Sequence, residues 1–409
     1  MLAELVSCCA GLDVHRDVVV ETVLKGKGEE VKKETRQYKT FSRDLAKLAD
    51  HEKQQGVELA VMESTGIYWK TVYAALEDAG INVLVVNALH VKKVSGRKTD
   101  VTDSEWLAEL GRCGLLRPSF IPPRDFREIR LLTRYRVKMV GYLAGQKNRL
   151  HKVLDDCGIR LGSVVSDIDG VSARRMIDAL IKGDKTPEEI AGLACGQLHK
   201  KGKDIILSLE ANISDRHRFL LRRIRNHIRS LEKEIEEMEC QIVAAMKPYE
   251  QEWRLLQTIP GIDEIGAAML LAEIGVDMSC FSSKDHLCSW AGICPGNNES
   301  AGKKKSGRIR KGNKYIRQML CEAANSARRT DSQFKGFYQG LVVRRGHKRA
   351  IIAVGHKILE VVYIVLKKNE PYKDPNVNYE ELIVRRNAPR WVRSLQKYGY
   401  WPVSCSSSQ

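Results

Sequence analysis

The sequence predicts an α/β domain at the N-terminus, a helical middle region with a coiled-coil seam, and a mainly α-helical C-terminal domain. Three patterns in the 409 residues lead to this prediction. Residues 1–115 alternate β-rich runs with segments of helical spacing. Apolar residues then recur at steps of three and four from Leu221 to Ala245, as in a long packed helix. From residue 253 onward, helical spacing resumes on both sides of a Pro-Gly turn.

The N-terminal elements follow the order β-β-β-α-β-α-β-α. We expect strands at 6–12, 17–24 and 31–38, a helix at 42–53, a strand at 57–62, a helix at 67–79, a strand at 81–86 and a helix at 102–112. The fourth and fifth strands are short and apolar, which suits parallel strands buried on both faces. A three-stranded meander continued by parallel strands with crossover helices is the arrangement of a ribonuclease-H-like fold. Thr102 and Glu105 have the spacing of a capping box at the start of the last helix.

Four acids fall where this sheet would bring them together. Asp13 ends the first strand and Glu63 ends the fourth, while Asp100 and Asp103 lie at the start of the last helix. Carboxylates about 4 Å apart repel by roughly 4 kcal/mol at an effective dielectric near 20, so such a cluster needs cations. Hard oxygen ligands select Mg²⁺ or Mn²⁺, and two such ions are the usual machinery for attack at phosphorus. Taken singly, each acid also fits a turn or a helix start.

The middle region, residues 116–250, is predicted to be helical. A proline-punctuated linker precedes a long basic helix at 124–154, and the less regular segment 155–203 predicts no function. The apolar seam from Leu221 to Ala245 indicates a coiled-coil arm. That arm packs either against a second protomer or back on the 124–154 helix, and the sequence leaves both open.

The C-terminal domain, residues 251–370, begins with a helix-hairpin-helix-like element around Pro260-Gly261. The backbone N–H groups of such a turn can bind phosphate. Ser282 or Ser283 is predicted to cap a short helix, and further helices are expected at 314–328 and 349–367. We expect the tail, residues 371–409, to be irregular.

A Gly/Pro/Asn loop holds Ser300, and a basic stretch without an acid follows it. The cations of this stretch are Lys303, Lys304, Lys305, Arg308, Arg310, Lys311, Lys314 and Arg317. A hydroxyl among so many cations suits attack on a phosphodiester, because the cations stabilise the charge of the transition state. A solvated loop that only binds phosphate is the simpler reading. Ser306 lies among the same cations, and composition does not separate it from Ser300.

The net charge of +17 and the pI near 9.3 favour a polyanionic partner such as nucleic acid. No apolar run approaches the roughly 18 residues of a spanning helix, and the first residues lack the pattern of a signal peptide. The 11 cysteines show no zinc-site spacing. A reduced, cytoplasmic, nucleoid-associated protein without a membrane partner is expected. His15 and His90 are assigned no role.

Six segments, in order along the chain, resemble one known family. They read GLDVHRD, VMESTGIYW, RKTDVTDSEWLAEL, IPGIDEIGAAMLLAEIG, WAGICPGNNESAGK and GRIRKGNKYIRQML. They are similar to motifs of bacterial insertion-sequence transposases that join a RuvC-like DEDD domain to a C-terminal serine transposase domain, the bridge-RNA-guided recombinases. The resemblance covers roughly residues 5–115 and 253–370.

The resemblance implies that Asp13, Glu63, Asp100 and Asp103 bind Mg²⁺ and that Ser300 forms a covalent phosphoserine link with DNA. It also implies homodimers or homotetramers and a structured guide RNA that pairs with donor and target DNA. Two other functions stay open at this point. One is a RuvC-like junction nuclease that hydrolyses DNA with metal-activated water, and the other is a non-catalytic nucleic-acid-binding protein.

Overall fold

The computed structural model describes residues 5–91, 94, 102–296, 298–300, 303–306, 309–375 and 379–400, with the backbone alone at 298–300 and 303–306. The chain forms two compact units, residues 1–121 and 122–409. No helix in these described ranges is both long enough and apolar enough to cross a bilayer.

The first unit contains five strands and four helices in its described part. The strands are β1 (Cys8–Val14), β2 (Val18–Lys25), β3 (Lys32–Lys39), β4 (Leu59–Glu63) and β5 (Val83–Val86). The helices are α1 (Ser42–Gln55), α2 (Trp69–Asp78), α3 (Ala88–Val91) and α4 (Asp103–Arg112). The strands and helices predicted from the sequence are confirmed, with boundaries shifted by one or a few residues, and α3 is an additional turn.

The five strands form one sheet in the order β3-β2-β1-β4-β5. The meander β1-β2-β3 is antiparallel, and β4 and β5 extend it from β1 in parallel. Alternate residues of each strand serve opposite faces. Cys8, Ala10 and Leu12 of β1 pack with α1 and α2. Cys9 packs with α4 on the other face, so the sheet is covered on both sides.

Helix α4 lies unusually close to β1. A Cβ atom on Gly11 would lie 1.9 Å from the carbonyl oxygen of Ser104, and one on Gly111 would lie 2.9 Å from Cys9 Sγ. Two glycines therefore set the separation of helix and strand. Half of the predicted capping box forms, because Thr102 Oγ1 accepts a hydrogen bond from Glu105 N at 3.3 Å. The Glu105 carboxylate bonds to Lys33 Nζ at 2.5 Å.

The second unit is mainly helical. Its helices are α5 (Arg124–Asp156), α6 (Leu161–Val164), α7 (Val171–Lys182), α8 (Pro187–Ala191), α9 (Gly202–Leu209), α10 (Asp215–Met246), α11 (Glu250–Gln257), α12 (Glu264–Ile274), α13 (Lys284–Ala291), α14 (Lys314–Ala327), α15 (Gln333–Arg345), α16 (His347–Lys368) and α17 (Tyr379–Lys397). A two-stranded hairpin, β6 (Asn298–Ser300) and β7 (Lys303–Ser306), lies between α13 and α14.

The apolar seam of α10 packs within the chain. Leu231 and Ile235 contact Met139 of α5, and Ile228 joins a core with Leu150 of the same helix. Of the two alternatives left open by the sequence, the fold-back on α5 is therefore the one observed. The short helices α6 to α9 add their own apolar residues to this core.

The C-terminal helices agree with the sequence in outline. Ser283 caps α13, since its Oγ accepts from His286 N at 3.1 Å. The prediction of an irregular tail is wrong for residues 379–397, which form α17 despite Pro389 inside it. This helix was not predicted because a proline inside a helical pattern normally ends the helix.

Candidate active site

Asp13 and Glu63 lie side by side at the ends of two parallel strands. Leu12 of β1 pairs with Met62 of β4, so the next residue of each strand is the acid. Neighbouring strands are about 4.8 Å apart. By alternation, Asp13 shares a face with Cys9 and Glu63 shares a face with Val61, and both of those residues pack against α4. The sheet thus places the two acids next to each other on the face that α4 covers.

Asp103 is the first residue of α4, and this helix begins over the same strand end. The backbone of Ser104 contacts Gly11, and Gly11 precedes Asp13 by two residues in β1. The buried hydroxyl of Ser104 is 2.8 Å from Thr22 Oγ1, which fixes the first turn of α4 on the meander. Asp13, Glu63 and the start of α4 therefore lie at one corner of the sheet. The fourth predicted acid, Asp100, lies outside the described residues.

His15 contacts this corner, although the sequence argument gave it no role. Its Nε2 is 3.0 Å from Asp13 Oδ2, and Glu63 Oε2 accepts a hydrogen bond from Thr65 Oγ1 at 3.3 Å. The spacing of GLDVHRD was the available signal, because the imidazole follows the strand-ending acid by two residues. In the described part of the chain, no three acids, histidines or cysteines come together closely enough to form a metal site. Carboxylate oxygens are the donors that Mg²⁺ prefers, and those of Asp13 and Glu63 belong to neighbouring residues on one face of the sheet.

The two candidate nucleophiles occupy different ends of one hairpin. Ser300 pairs with Lys303 and is the last strand residue before the turn. Ser306 pairs with Asn298 at the open end, where the strand register shifts.

Both legs of this hairpin are fixed where they meet the helices. Gly292 follows α13 and touches Gly312, so that a Cβ on Gly292 would lie 2.6 Å from Gly312 Cα. Pro295 and Ile309 form an antiparallel bridge between the legs. The two ends of the segment between α13 and α14 are thus in contact with each other.

Several predicted phosphate contacts surround the start of α14. Arg310, Lys311 and Lys314 are exposed and Arg317 is partly buried. The N-terminus of a helix carries partial positive charge, so these cations reinforce it instead of opposing it. Lys303, Lys304 and Lys305 belong to β7, and Arg308 lies outside the described residues.

The cysteines beside the hairpin are poor nucleophiles. Burial raises the pKa of the Cys288 thiol to about 12. Burial also raises the pKa of Cys294, and nearby Asp285 adds to the effect. Since the thiolate is the nucleophilic form, both residues are inert at neutral pH.

The Pro-Gly turn differs from the phosphate-binding role expected of it. A Cβ on Gly261 would lie 2.3 Å from the carbonyl oxygen of Ala323, so the turn packs on α14. Asp263 caps α12 by accepting from Gly266 N at 2.7 Å, and Glu264 follows it. Two acids at a helix start repel phosphate, so we place no phosphate contact there.

Two family models match the sequence. A transposase model of the DEDD type matches residues 10–159, and a model described as "Transposase IS116/IS110/IS902 family" matches residues 253–339. The first match includes the acid corner, the second includes the serine hairpin, and together they cover more than half of the chain.

Curated relatives agree with these matches. A probable family 20 transposase of Pseudomonas aeruginosa is 23% identical across 91% of this chain and 97% of its own length. The transposase for insertion sequence element IS1111A of Coxiella burnetii is 23% identical across 78% of this chain and 80% of its own. A pilin gene-inverting protein of Moraxella bovis is 34% identical over 122 residues, 29% of this chain and 38% of that protein.

Proposed function

Since this chain belongs to the IS110/IS116/IS902 family of transposases, which cut and rejoin DNA, we propose that it does so through a covalent link to Ser300. We assign the metal-holding acids to residues 1–115 and the serine to residues 251–370. The helical region 116–250 connects them, and residues 371–409 form a C-terminal tail.

The observation that carries this proposal is the corner formed by Asp13, Glu63 and the start of α4. We infer that the first unit has the ribonuclease-H-like arrangement, because an antiparallel meander continued by parallel strands matches its strand order. With Asp100, the corner would hold Mg²⁺ or Mn²⁺. The ion would supply Lewis acidity and neutralise negative charge at a scissile phosphate.

The serine chemistry conserves the energy of the phosphodiester. A bond forms between Ser300 Oγ and phosphorus while the bond from phosphorus to the departing strand oxygen breaks. The serine proton passes to a base, and the departing oxygen gains a proton. The hydroxyl of another strand end then attacks the same phosphorus and releases Ser300, so no outside energy is required. Arg310, Lys311 and Lys314 would stabilise the extra negative charge of both transition states.

A denaturing gel of the protein incubated with end-labelled DNA tests the nucleophile. We expect a labelled protein band that is lost in Ser300→Ala and kept in Ser306→Ala. Cleavage that survives in Ser300→Ala would instead indicate hydrolysis by activated water, as in a junction nuclease, and would overturn the proposal.

The acids are tested with a control from the same turn. Asp13→Asn should abolish the labelled band, whereas Asp17→Asn should keep it, because Asp17 is highly exposed beyond the strand end. An Asp13→Asn protein as active as wild type would remove the metal site from the mechanism and favour a purely structural role for the acids.

We propose a structured guide RNA and a homodimer or homotetramer as partners. The net charge of +17 suits RNA as well as the DNA substrate. Sequencing of copurified RNA should yield one abundant species encoded beside the gene, and bulk unspecific RNA would count against guidance. Because the α10 seam is used within the chain, the protomers would meet through other surfaces, and light scattering that finds only a monomer would count against the assembly.

A further inference from the structure

A buried carboxylate of α12 bonds to the residue that caps α14. Glu273, on α12, is 2% exposed. Two arginines of α5 bind its carboxylate: Arg134 donates from Nε at 2.7 Å and from Nη2 at 2.9 Å, and Arg130 Nε lies 3.1 Å from Oε2. The site is therefore a charge cluster with more positive than negative groups, in a position where a lone carboxylate would be strongly disfavoured.

The cluster is rigid because its members are held from several sides. Arg130 also donates to the backbone carbonyls of Ala272 and Glu273. Burial lowers the pKa of Arg130 to about 10, so its guanidinium stays charged at neutral pH. The guanidinium of Arg134 lies 4.6 Å from the centre of the Tyr315 ring, in the first turn of α14.

The third partner of Glu273 connects the cluster to the hairpin. Asn313 Nδ2 donates to Glu273 Oε2 at 2.7 Å. The other end of the same amide caps α14, because Asn313 Oδ1 accepts from Tyr315 N at 3.0 Å and from Ile316 N at 3.3 Å. Only this orientation of the amide satisfies both the carboxylate and the two backbone donors.

Asn313 directly follows the second leg of the hairpin. Gly312 touches Gly292 at the base, and Lys311 and Lys314 flank the asparagine. A fixed Asn313 amide therefore fixes the point at which this leg enters α14, and with it the backbone positions of the two lysines. An ion pair that only stabilised α5 against α12 would not require the asparagine.

We propose that Glu273 is a positioning residue, which acts through Asn313 to hold the serine hairpin and its flanking cations in the geometry that attacks a DNA phosphate. This inference rests on the proposed function of Ser300. It assigns Glu273 no contact with DNA.

The test moves the carboxylate from position 273 to position 313 in two steps. In Asn313→Asp the new carboxylate faces the carboxylate of Glu273, and their repulsion pushes residue 313 and the hairpin leg away, which weakens the cap of α14. In the double variant Glu273→Gln with Asn313→Asp, the repulsion between two carboxylates is absent, and the Asp carboxylate keeps one negative charge beside the two arginines. The charge moves from one residue to the other and the cluster keeps its total.

We expect Asn313→Asp to slow formation of the protein–DNA adduct about 100-fold, since a misplacement of about 1 Å costs that much. DNA binding in a filter assay should change less than threefold, and the double variant should recover at least tenfold of the adduct rate. A folded double variant no faster than Asn313→Asp would overturn the inference, as would an Asn313→Asp protein at the wild-type rate.

Hydrogen exchange separates this outcome from failure of the serine mechanism. Protection of the amides of Tyr315 and Ile316 should fall in Asn313→Asp and return in the double variant, whatever Ser300 does. If Ser300→Ala still cuts DNA while exchange behaves as stated, the chemistry of Ser300 is wrong and the Glu273–Asn313 coupling stands. Unchanged protection in Asn313→Asp would overturn the coupling itself.

Discussion

Replacement of Gly11 by alanine links the packing of the first unit to its candidate chemistry. The added Cβ would lie 1.9 Å from the Ser104 carbonyl oxygen and 2.6 Å from Ala108 N. Both are backbone atoms of α4, so no side chain can turn aside to make room. A carbon–oxygen contact is normally about 3.3 Å or more, and α4 would have to retreat by roughly 1.4 Å.

The retreat has two measurable consequences. Overpacking of this kind costs typically 1–3 kcal/mol, and the buried hydrogen bond between Ser104 and Thr22 would be stretched as well. Asp103 begins the same helix and would move away from Asp13, so we expect adduct formation to fall at least 100-fold.

Thermal unfolding and the labelled-DNA gel measure these two effects. Gly141→Ala in α5 is the matched control, because nothing lies within 4 Å of its Cβ. Alanine there should stabilise the helix by about 0.5–1 kcal/mol and leave activity unchanged. A Gly11→Ala protein with wild-type unfolding temperature and adduct rate would show that α4 does not rest on β1 as the structure has it.

Three further predictions address charge and packing. Burial, reinforced by nearby Glu21, raises the pKa of Glu52 to about 9. The folded state therefore keeps a proton that the unfolded chain loses above about pH 4.5. As a result, the free energy of unfolding falls as the pH rises from about 4.5 to about 9. Glu52→Gln should flatten this dependence and stabilise by about 3 kcal/mol at pH 7 in urea unfolding, while exposed Glu109→Gln should change neither. Removal of divalent ions with a chelator should abolish the adduct and leave DNA retention on a filter, because the cations around α14 bind phosphate without metal; loss of retention would contradict this. Gly261→Ala should destabilise the second unit by more than 1 kcal/mol, since the new Cβ would lie 2.3 Å from the Ala323 carbonyl oxygen at a φ of +88°.

The acid corner was predictable from the sequence because strand ends are local features. Asp13 and Glu63 each follow an apolar run, and parallel strands end at the same edge of a sheet. The contact that sets the corner's geometry was not predictable. Gly11 reads as an ordinary glycine within a strand, and only the packing of α4 shows why a side chain is excluded there.

Glu273 stands out in the sequence as a charged residue within an apolar helix. It interrupts the wholly apolar run of α12, where every residue from Gly266 to Ile274 is buried. Charged groups are almost never buried without a partner, so the sequence required a cation nearby. It could not say that Arg134 and Arg130, more than a hundred residues earlier, would supply it, because that pairing depends on how α5 crosses α12.

The charges at the start of α14 are the opposite of those that the helix dipole favours, and this exception points to a site. The three preceding helices, α11, α12 and α13, each carry an acid in the first turn, as the helix dipole favours. Helix α14 has none and begins instead with Lys314 and, one turn later, Arg317. A cation at this position lacks the stabilisation of about 0.3–1 kcal/mol that an acid would give the helix. A bound phosphate would supply the missing negative charge. Helix α16 repeats the pattern, since its first turn carries Lys348 and Arg349 and no acid.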